Sequence, residues 1–212
     1  MIITVFGATG QVGKRIVRQA LAKNYTVRAF GRNVDNLMDE DERNDNLETL
    51  QGYVFDEGEV YDAVKNVDAV LSALGGAFDG TDKTRSLGIK NIIAQMTKAN
   101  VKRIVALGGI GVLNAPDGSY LIDAPNYPAQ YKPVGKEHLQ AFLYLEQSNL
   151  EWTFVCSPDI KNEDATGKFI TKENYPPEPN KNFIAAGDLA EFMLQEILQP
   201  KYLKKRVGIS AI

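Results

Sequence analysis

Short apolar runs alternate with stretches of helical spacing along the 212 residues. Ile2–Phe6 is almost continuously apolar, as a strand buried on both faces should be. Gln11–Ala22 then places Val12, Ile16, Val17, Ala20 and Leu21 on one side of a helix. Thr26–Phe30 predicts a second strand, and Tyr53–Phe55 the end of a third. Ala69–Leu74, Arg103–Leu107 and Trp152–Cys156 predict a fourth, fifth and sixth, and Arg206–Ile209 a short last one. Between them, Leu87, Ile89, Ile92, Ile93, Met96 and Ala99 fit one helix. Pro133 suits the first position of another, followed by Leu139, Phe142, Leu143 and Leu145. Asp188 is expected to cap a third, with Glu191 three residues on and Leu189, Phe192, Met193 and Ile197 as its stripe. Such alternation predicts an α/β fold: a doubly wound, mostly parallel sheet with helices on both faces.

Two stretches break the rhythm. Residues 114–132 carry Pro116, Pro125, Pro128 and several tyrosines; residues 157–182 carry Pro158, Pro176, Pro177 and Pro179. Loops of this length inside a compact domain are usually functional. Both follow the carboxyl ends of predicted strands, where open α/β sheets bind ligands, so they are read as the substrate side. The acidic run Asp39–Asp45 reads as a solvated loop.

The length predicts a single domain over residues 1–212. A net charge of -3 offers no basic excess for a phosphate backbone, so nucleic acid is not an expected partner. One cysteine, Cys156, excludes an internal disulfide and fits a cytoplasmic chain. One histidine, His138, argues against a histidine metal site or a Ser–His triad. No apolar run is long enough to span a membrane. A monomer or homodimer acting on a small molecule is expected.

The segment joining the first strand to the first helix is Gly7-Ala8-Thr9-Gly10-Gln11-Val12-Gly13. Glycine permits a sharp turn and close backbone approach to a ligand. The helix start then offers free N–H groups and a positive dipole end to a pyrophosphate. Gly7, Thr9, Gly10, Gln11, Val12 and Gly13 are therefore candidate nucleotide-binding residues. Together with Val5 and Phe6, this segment closely resembles the atypical and extended short-chain dehydrogenase/reductases. Within that group the chain is similar to the small NAD(P)-binding proteins related to flavin/biliverdin reductase and to NmrA-like regulators. Phe30-Gly31-Arg32-Asn33, Val101-Lys102-Arg103-Ile104-Val105, Leu150–Val155 and Ile184–Ala190 extend the likeness along nearly the whole chain. The resemblance implies a Rossmann-type fold and a nicotinamide cofactor.

NAD-binding folds usually place an acid after the second strand, where it accepts from the adenosine ribose hydroxyls. This chain has Arg32 there. A guanidinium can fork onto a 2′-phosphate and stack on adenine, which favours NADP(H); otherwise the residue simply covers a helix end. Asp56 follows the third predicted strand. The resemblance implies contact with the adenine amino group; helix capping is the equal alternative. Leu74 and Gly75, followed by Gly76, end the fourth strand, where glycine keeps side chains away from the pyrophosphate, or merely makes a turn.

The better-known enzymes of the group use Tyr-x-x-x-Lys. The resemblance places Lys136 at the position of that lysine, contacting the nicotinamide ribose. Tyr131 stands five residues before it, not four, and five residues turn a helix by about 500°. Pro133 also sets Tyr131 outside the helix, so the dyad is broken as a motif, although a loop tyrosine can still reach the site. Lys136 and Tyr131 remain the catalytic candidates. Gly108-Gly109 follows the fifth strand where the enzymes often carry serine. The flavin/biliverdin-reductase type works without a protein acid, taking its proton from water. His138 reads as a helix-surface residue and Cys156 as an inert core thiol. Ser157-Pro158 can line the nicotinamide end, and Phe78, Tyr120, Tyr127 and Tyr131 are aromatics available to stack on a ring.

These observations fit an NADPH-dependent reductase of a small flavin, quinone or carbonyl compound. They also fit an NADP(H)-binding redox sensor without turnover, which the missing dyad favours. A nucleotide-sugar epimerase fits less well, because the chain is short for that group's substrate domain.

Overall fold

The computed structural model describes residues 1–34, 37 and 44–212. Residues 39–43 of the acidic run lie outside the described residues, and Asp45 at its end is exposed. The strands are β1 (Ile2–Phe6), β2 (Thr26–Gly31), β3 (Leu47–Gln51), β4 (Ala69–Ser72), β5 (Arg103–Gly109), β6 (Glu151–Ser157), β7 (Asp159–Lys161), β8 (Phe169–Glu173), β9 (Phe183–Ala185) and β10 (Lys205–Ala211). The main sheet runs in the order β3-β2-β1-β4-β5-β6-β10-β8. Its pairs are parallel except that β8 runs antiparallel to β10. β7 and β9 form a small parallel pair of their own.

The pleat divides the core. Ile3 and Val5 of β1 and Leu71 of β4 point to the face covered by α1 (Gln11–Ala22) and α5 (Ala186–Leu198). Phe6 and Val70 point to the other face, covered by α2 (Glu57–Val64), α3 (Thr84–Lys98) and α4 (Lys132–Glu146). Each central strand is therefore buried on both sides, which is why its sequence is apolar without alternation. The doubly wound topology expected from the alternation is what the chain adopts. Strand order reverses between β1 and β4, the point at whose carboxyl ends open α/β sheets bind ligands.

Three expectations change. The third strand is Leu47–Gln51, not a run ending at Tyr53–Phe55. It is the sheet's edge strand, half polar, whereas the apolar Tyr53 and Phe55 lie beyond it and are exposed. Asp188 does not cap α5: the helix begins at Ala186 with Ala185 at its cap. The buried Asp188 carboxylate instead accepts from the Thr166 and Gly167 backbone N–H groups at 2.7 and 2.8 Å, and from the Thr166 hydroxyl at 2.8 Å. The stretch 157–182 is not all loop, since it contributes β7 and β8.

The helix-to-strand turns at the amino ends of the strands share one device. Asn24, Asn66 and Asn100 follow α1, α2 and α3 with φ of 58°, 58° and 57°. Asparagine tolerates this left-handed conformation better than most residues.

Candidate cofactor and active site

The glycine loop closes a tight corner between β1 and α1. Gly7 has φ +75°, and a β-carbon on it would lie 2.4 Å from the Ala73 carbonyl oxygen. A β-carbon on Gly13 would lie 2.1 Å from the Gly7 carbonyl oxygen. Both positions thus need glycine for the fold itself. Gly10 is different: its backbone is ordinary extended chain, φ -74° and ψ 165°, and it caps α1. Gly75, just past β4, has nothing within 4 Å of its would-be β-carbon and no left-handed φ. A β-carbon on Gly10 would lie a tight 3.3 Å from the Gly7 carbonyl oxygen, a weaker demand than at Gly7 or Gly13, and Gly75 carries none. Gly10 and Gly75 leave backbone bare beyond the carboxyl ends of β1 and β4.

The N-terminus of α1 is correspondingly open. It has no side-chain cap and no acid in its first turn. Its first intrahelical bond is from the Lys14 N–H to the Gly10 carbonyl, so the N–H groups of Gln11, Val12 and Gly13 have no partner within the helix. Thr9 stands beside the end of β2, its hydroxyl 4.0 Å from the β-carbon position of Gly31. Arg32 follows directly and is exposed. Its carbonyl accepts from the Gln51 side-chain amide at 3.0 Å, while its guanidinium has no partner among the described residues. Leu74 is half-buried and would meet any β-carbon placed on Gly88 of α3.

Asp56 caps α2: its Oδ1 accepts from the Glu59 N–H at 2.8 Å. That is the capping alternative raised by the sequence.

Around the ends of β4 and β5 the site is built from side chains. Arg85 of α3 is buried and donates to the carbonyls of Gly76 and Ala77 at 2.9 and 3.0 Å, fixing the loop after Gly75. The buried Glu137 of α4 accepts from Lys83 Nζ at 2.7 Å and from the Ser86 hydroxyl at 2.6 Å. None of these four was singled out from the sequence. Arg85 carried a signal, since it is in phase with Ile89, Ile92 and Met96 on the buried face of α3. Tyr131 precedes the first residue of α4, confirming that it lies outside the helix, and is 40% exposed. Burial, and then the nearby Tyr131 phenol, push the Tyr127 hydroxyl pKa upward. Lys136 is exposed. Among the described residues, Tyr131 and Lys136 make no contact with each other and neither side chain makes a hydrogen bond. The Ser157 hydroxyl reaches the Gly108 carbonyl at 3.4 Å. Cys156 is fully buried, and burial drives its thiol pKa upward, so it is the inert core thiol expected.

His138 is half-buried and only partly at the helix surface: its Nδ1 is sealed from solvent. It falls in register with Val134, Ala141, Phe142 and Leu145 on the buried face of α4, and its ring lies against Gly109 at the end of β5. Burial, and then the Arg85 charge, lower its pKa from the usual 6.5 to about 3.

Among the described residues, no helix is long and apolar enough to cross a membrane.

Residues 7–200 match the model of a family described as NAD(P)H-binding. The uncharacterized protein YwnB of Bacillus subtilis is 26% identical over 99% of this chain and 98% of its own length. A Bacteroides thetaiotaomicron structure provisionally named an epimerase superposes with a TM-score of 0.86 at 26% identity, covering 100% of this chain and 97% of that one. SP1627 of Streptococcus pneumoniae, provisionally named an NADH-flavin reductase, superposes at 0.85 with 24% identity and covers both chains fully at 100%.

Proposed function

The chain belongs to the NAD(P)H-binding family, and on that premise we propose that it is an NADPH-dependent reductase transferring hydride to a small flavin, quinone or carbonyl compound. One observation carries the cofactor reading: Gly75 is bare where the fold does not require it, and α1 starts uncapped at Gly10. That arrangement suits a pyrophosphate, which needs close backbone approach and unpaired N–H donors.

When bound, NADPH supplies the hydride. The chain's own residues do the rest. The N–H groups of Gln11, Val12 and Gly13 hold the pyrophosphate, with Thr9, Leu74 and Gly75 lining its path. Arg32, unpaired among the described residues, forks onto the 2′-phosphate and sets the preference for NADPH. Lys136 and Tyr131 are the candidates for the nicotinamide ribose and for the acceptor. Asp56, engaged in capping α2, contributes to the adenine end only through its remaining acceptor capacity.

The separation of Tyr131 from Lys136 keeps a second reading in view, a regulator that binds NADP(H) without turnover. One experiment decides. The purified protein is titrated with NADPH, NADP⁺ and NADH, then supplied with NADPH and menadione or FMN. Binding of NADPH at least about tenfold tighter than NADH, with NADPH consumed, supports the reductase. Form-dependent binding with no consumption favours the regulator. No binding to any of the three overturns both.

A further inference from the structure

The chain's single histidine lies at the end of β5 with no hydrogen bond among the described residues. A β-carbon on Gly109 would lie 2.8 Å from His138 Cδ2 and 3.3 Å from Nε2, so the imidazole occupies the space that a side chain there would take. His138 Nδ1 is sealed from solvent and has no hydrogen-bond partner. Nε2 is not sealed in this way, and it too has no partner among the described residues. The neighbouring Glu137 is engaged by Lys83 and Ser86 and gives the ring no carboxylate. The charge acting on the ring is that of Arg85, whose guanidinium is tied to the loop after Gly75. An imidazole thus lies against Gly109 at the end of β5, lacking a hydrogen bond that no described residue provides.

Resting on the reductase reading, we propose that His138 donates its Nε2–H to the reducible oxygen or nitrogen of the bound acceptor. Nδ1, sealed with no acceptor in reach, keeps the lone pair, because orphaned buried N–H groups are the rarer case. The proton of the neutral ring therefore sits on Nε2. Because burial and Arg85 hold the pKa near 3, the ring is neutral at pH 7 and has no second proton to give. It acts as a fixed donor and not as a general acid. For a quinone, hydride transfer delivers two electrons and one proton equivalent, and water supplies the second proton. Quinone becomes hydroquinone and NADPH becomes NADP⁺. During the transfer, negative charge grows on the acceptor oxygen, and a preoriented donor stabilises it there.

Having one histidine makes the test direct, since its imidazole ¹⁵N signals need no assignment among others. The ring is expected to stay neutral with the proton on Nε2 from pH 5 to 8. Its Nε2 signal is expected to move when menadione is added to the NADP⁺-loaded protein. His138→Phe keeps a planar ring without a donor; its kcat for menadione is expected to fall about 100-fold, with NADPH affinity unchanged. His138→Gln restores a donor and recovers part of that loss. A ring titrating near 6.5, an Nε2 signal unmoved by saturating menadione, or a His138→Phe protein as fast as wild type overturns the role. Should His138→Phe not fold, His138→Gln and the wild-type NMR readouts decide. Wild-type protein that binds NADPH but reduces neither menadione nor FMN overturns the reductase reading, and this role with it. Normal turnover in both variants overturns the role alone.

Discussion

The two halves of the candidate site are made of different material. At the glycine loop, the site is backbone: a left-handed Gly7, a helix start without a cap, and bare positions at Gly10 and Gly75. At the end of β5, it is side chains that arrive from separate helices: Arg85 from α3, and Glu137 and His138 from α4. The backbone half depends on residues being absent of bulk, and the side-chain half on residues meeting across the fold. A nucleotide presents the same phosphates to any protein that uses it, so a backbone cradle suffices for it. Discrimination among acceptors needs chemistry that only side chains carry.

The comparison can be broken from either side. Gly13→Ala is expected to have the largest effect on stability, more than about 3 kcal/mol, because its β-carbon would strike the Gly7 carbonyl, which is backbone and cannot swing aside. Urea denaturation measures it; a loss below about 1 kcal/mol would mean that the corner is loose. Asp188→Ala probes the side-chain device that fastens the 164–167 segment to α5. Removing one buried acceptor of three hydrogen bonds is expected to cost about 3 kcal/mol, read in the same assay. Gly75→Val separates binding from stability. NADPH affinity is expected to fall at least about 30-fold, while unfolding changes by less than about 0.5 kcal/mol, since beyond its chain neighbours nothing lies within 4 Å of a β-carbon there. Retained affinity in a titration would move the pyrophosphate elsewhere. Arg32→Glu is expected to weaken NADPH about 30-fold and NADH less than about threefold; equal loss of both would remove the 2′-phosphate from the account.

The smallest effect is in pH. The folded pKa of His138, about 3, lies below its unfolded value of 6.5. The unfolded chain therefore binds more protons between those values, and stability falls as pH drops through that window. From pH 6.5 to 5, the slope from this group approaches but does not exceed about 1.4 kcal/mol per pH unit. His138→Gln should flatten the difference over that interval in denaturation curves. An unchanged slope would mean that the imidazole is solvated.

The sequence disclosed the backbone half far better than the other. β1 and α1 fall on Ile2–Phe6 and Gln11–Ala22, the spans that their spacing predicts. Buried central strands are apolar throughout, and a glycine corner is local, so both are written in contiguous residues. The third strand lies away from the apolar Tyr53–Phe55 because an edge strand carries little apolar signal: Glu48 and Thr49 of β3 are exposed. Asp188 has the residue type and spacing of a helix cap, and only the distant Thr166 and Gly167 reveal its actual use. His138 was legible in part. It lies four residues from both Val134 and Phe142, in phase with the stripe, although its polarity suggested the surface. Its partner Gly109 is far off in the chain, and no local pattern joins them.

The asparagine turns below the sheet bear on where this chain can change. Asn24, Asn66 and Asn100 carry left-handed backbone at the floor, where glycine would serve as well sterically. Substituting glycine there trades a small steric gain against greater freedom of the unfolded chain, so the floor has two workable spellings. Gly7 and Gly13 at the rim have one, because any side chain collides with backbone. Sequence drift is thus open at one end of the strands and closed at the other, and a library that varies both ends together would lose most of its members at the rim.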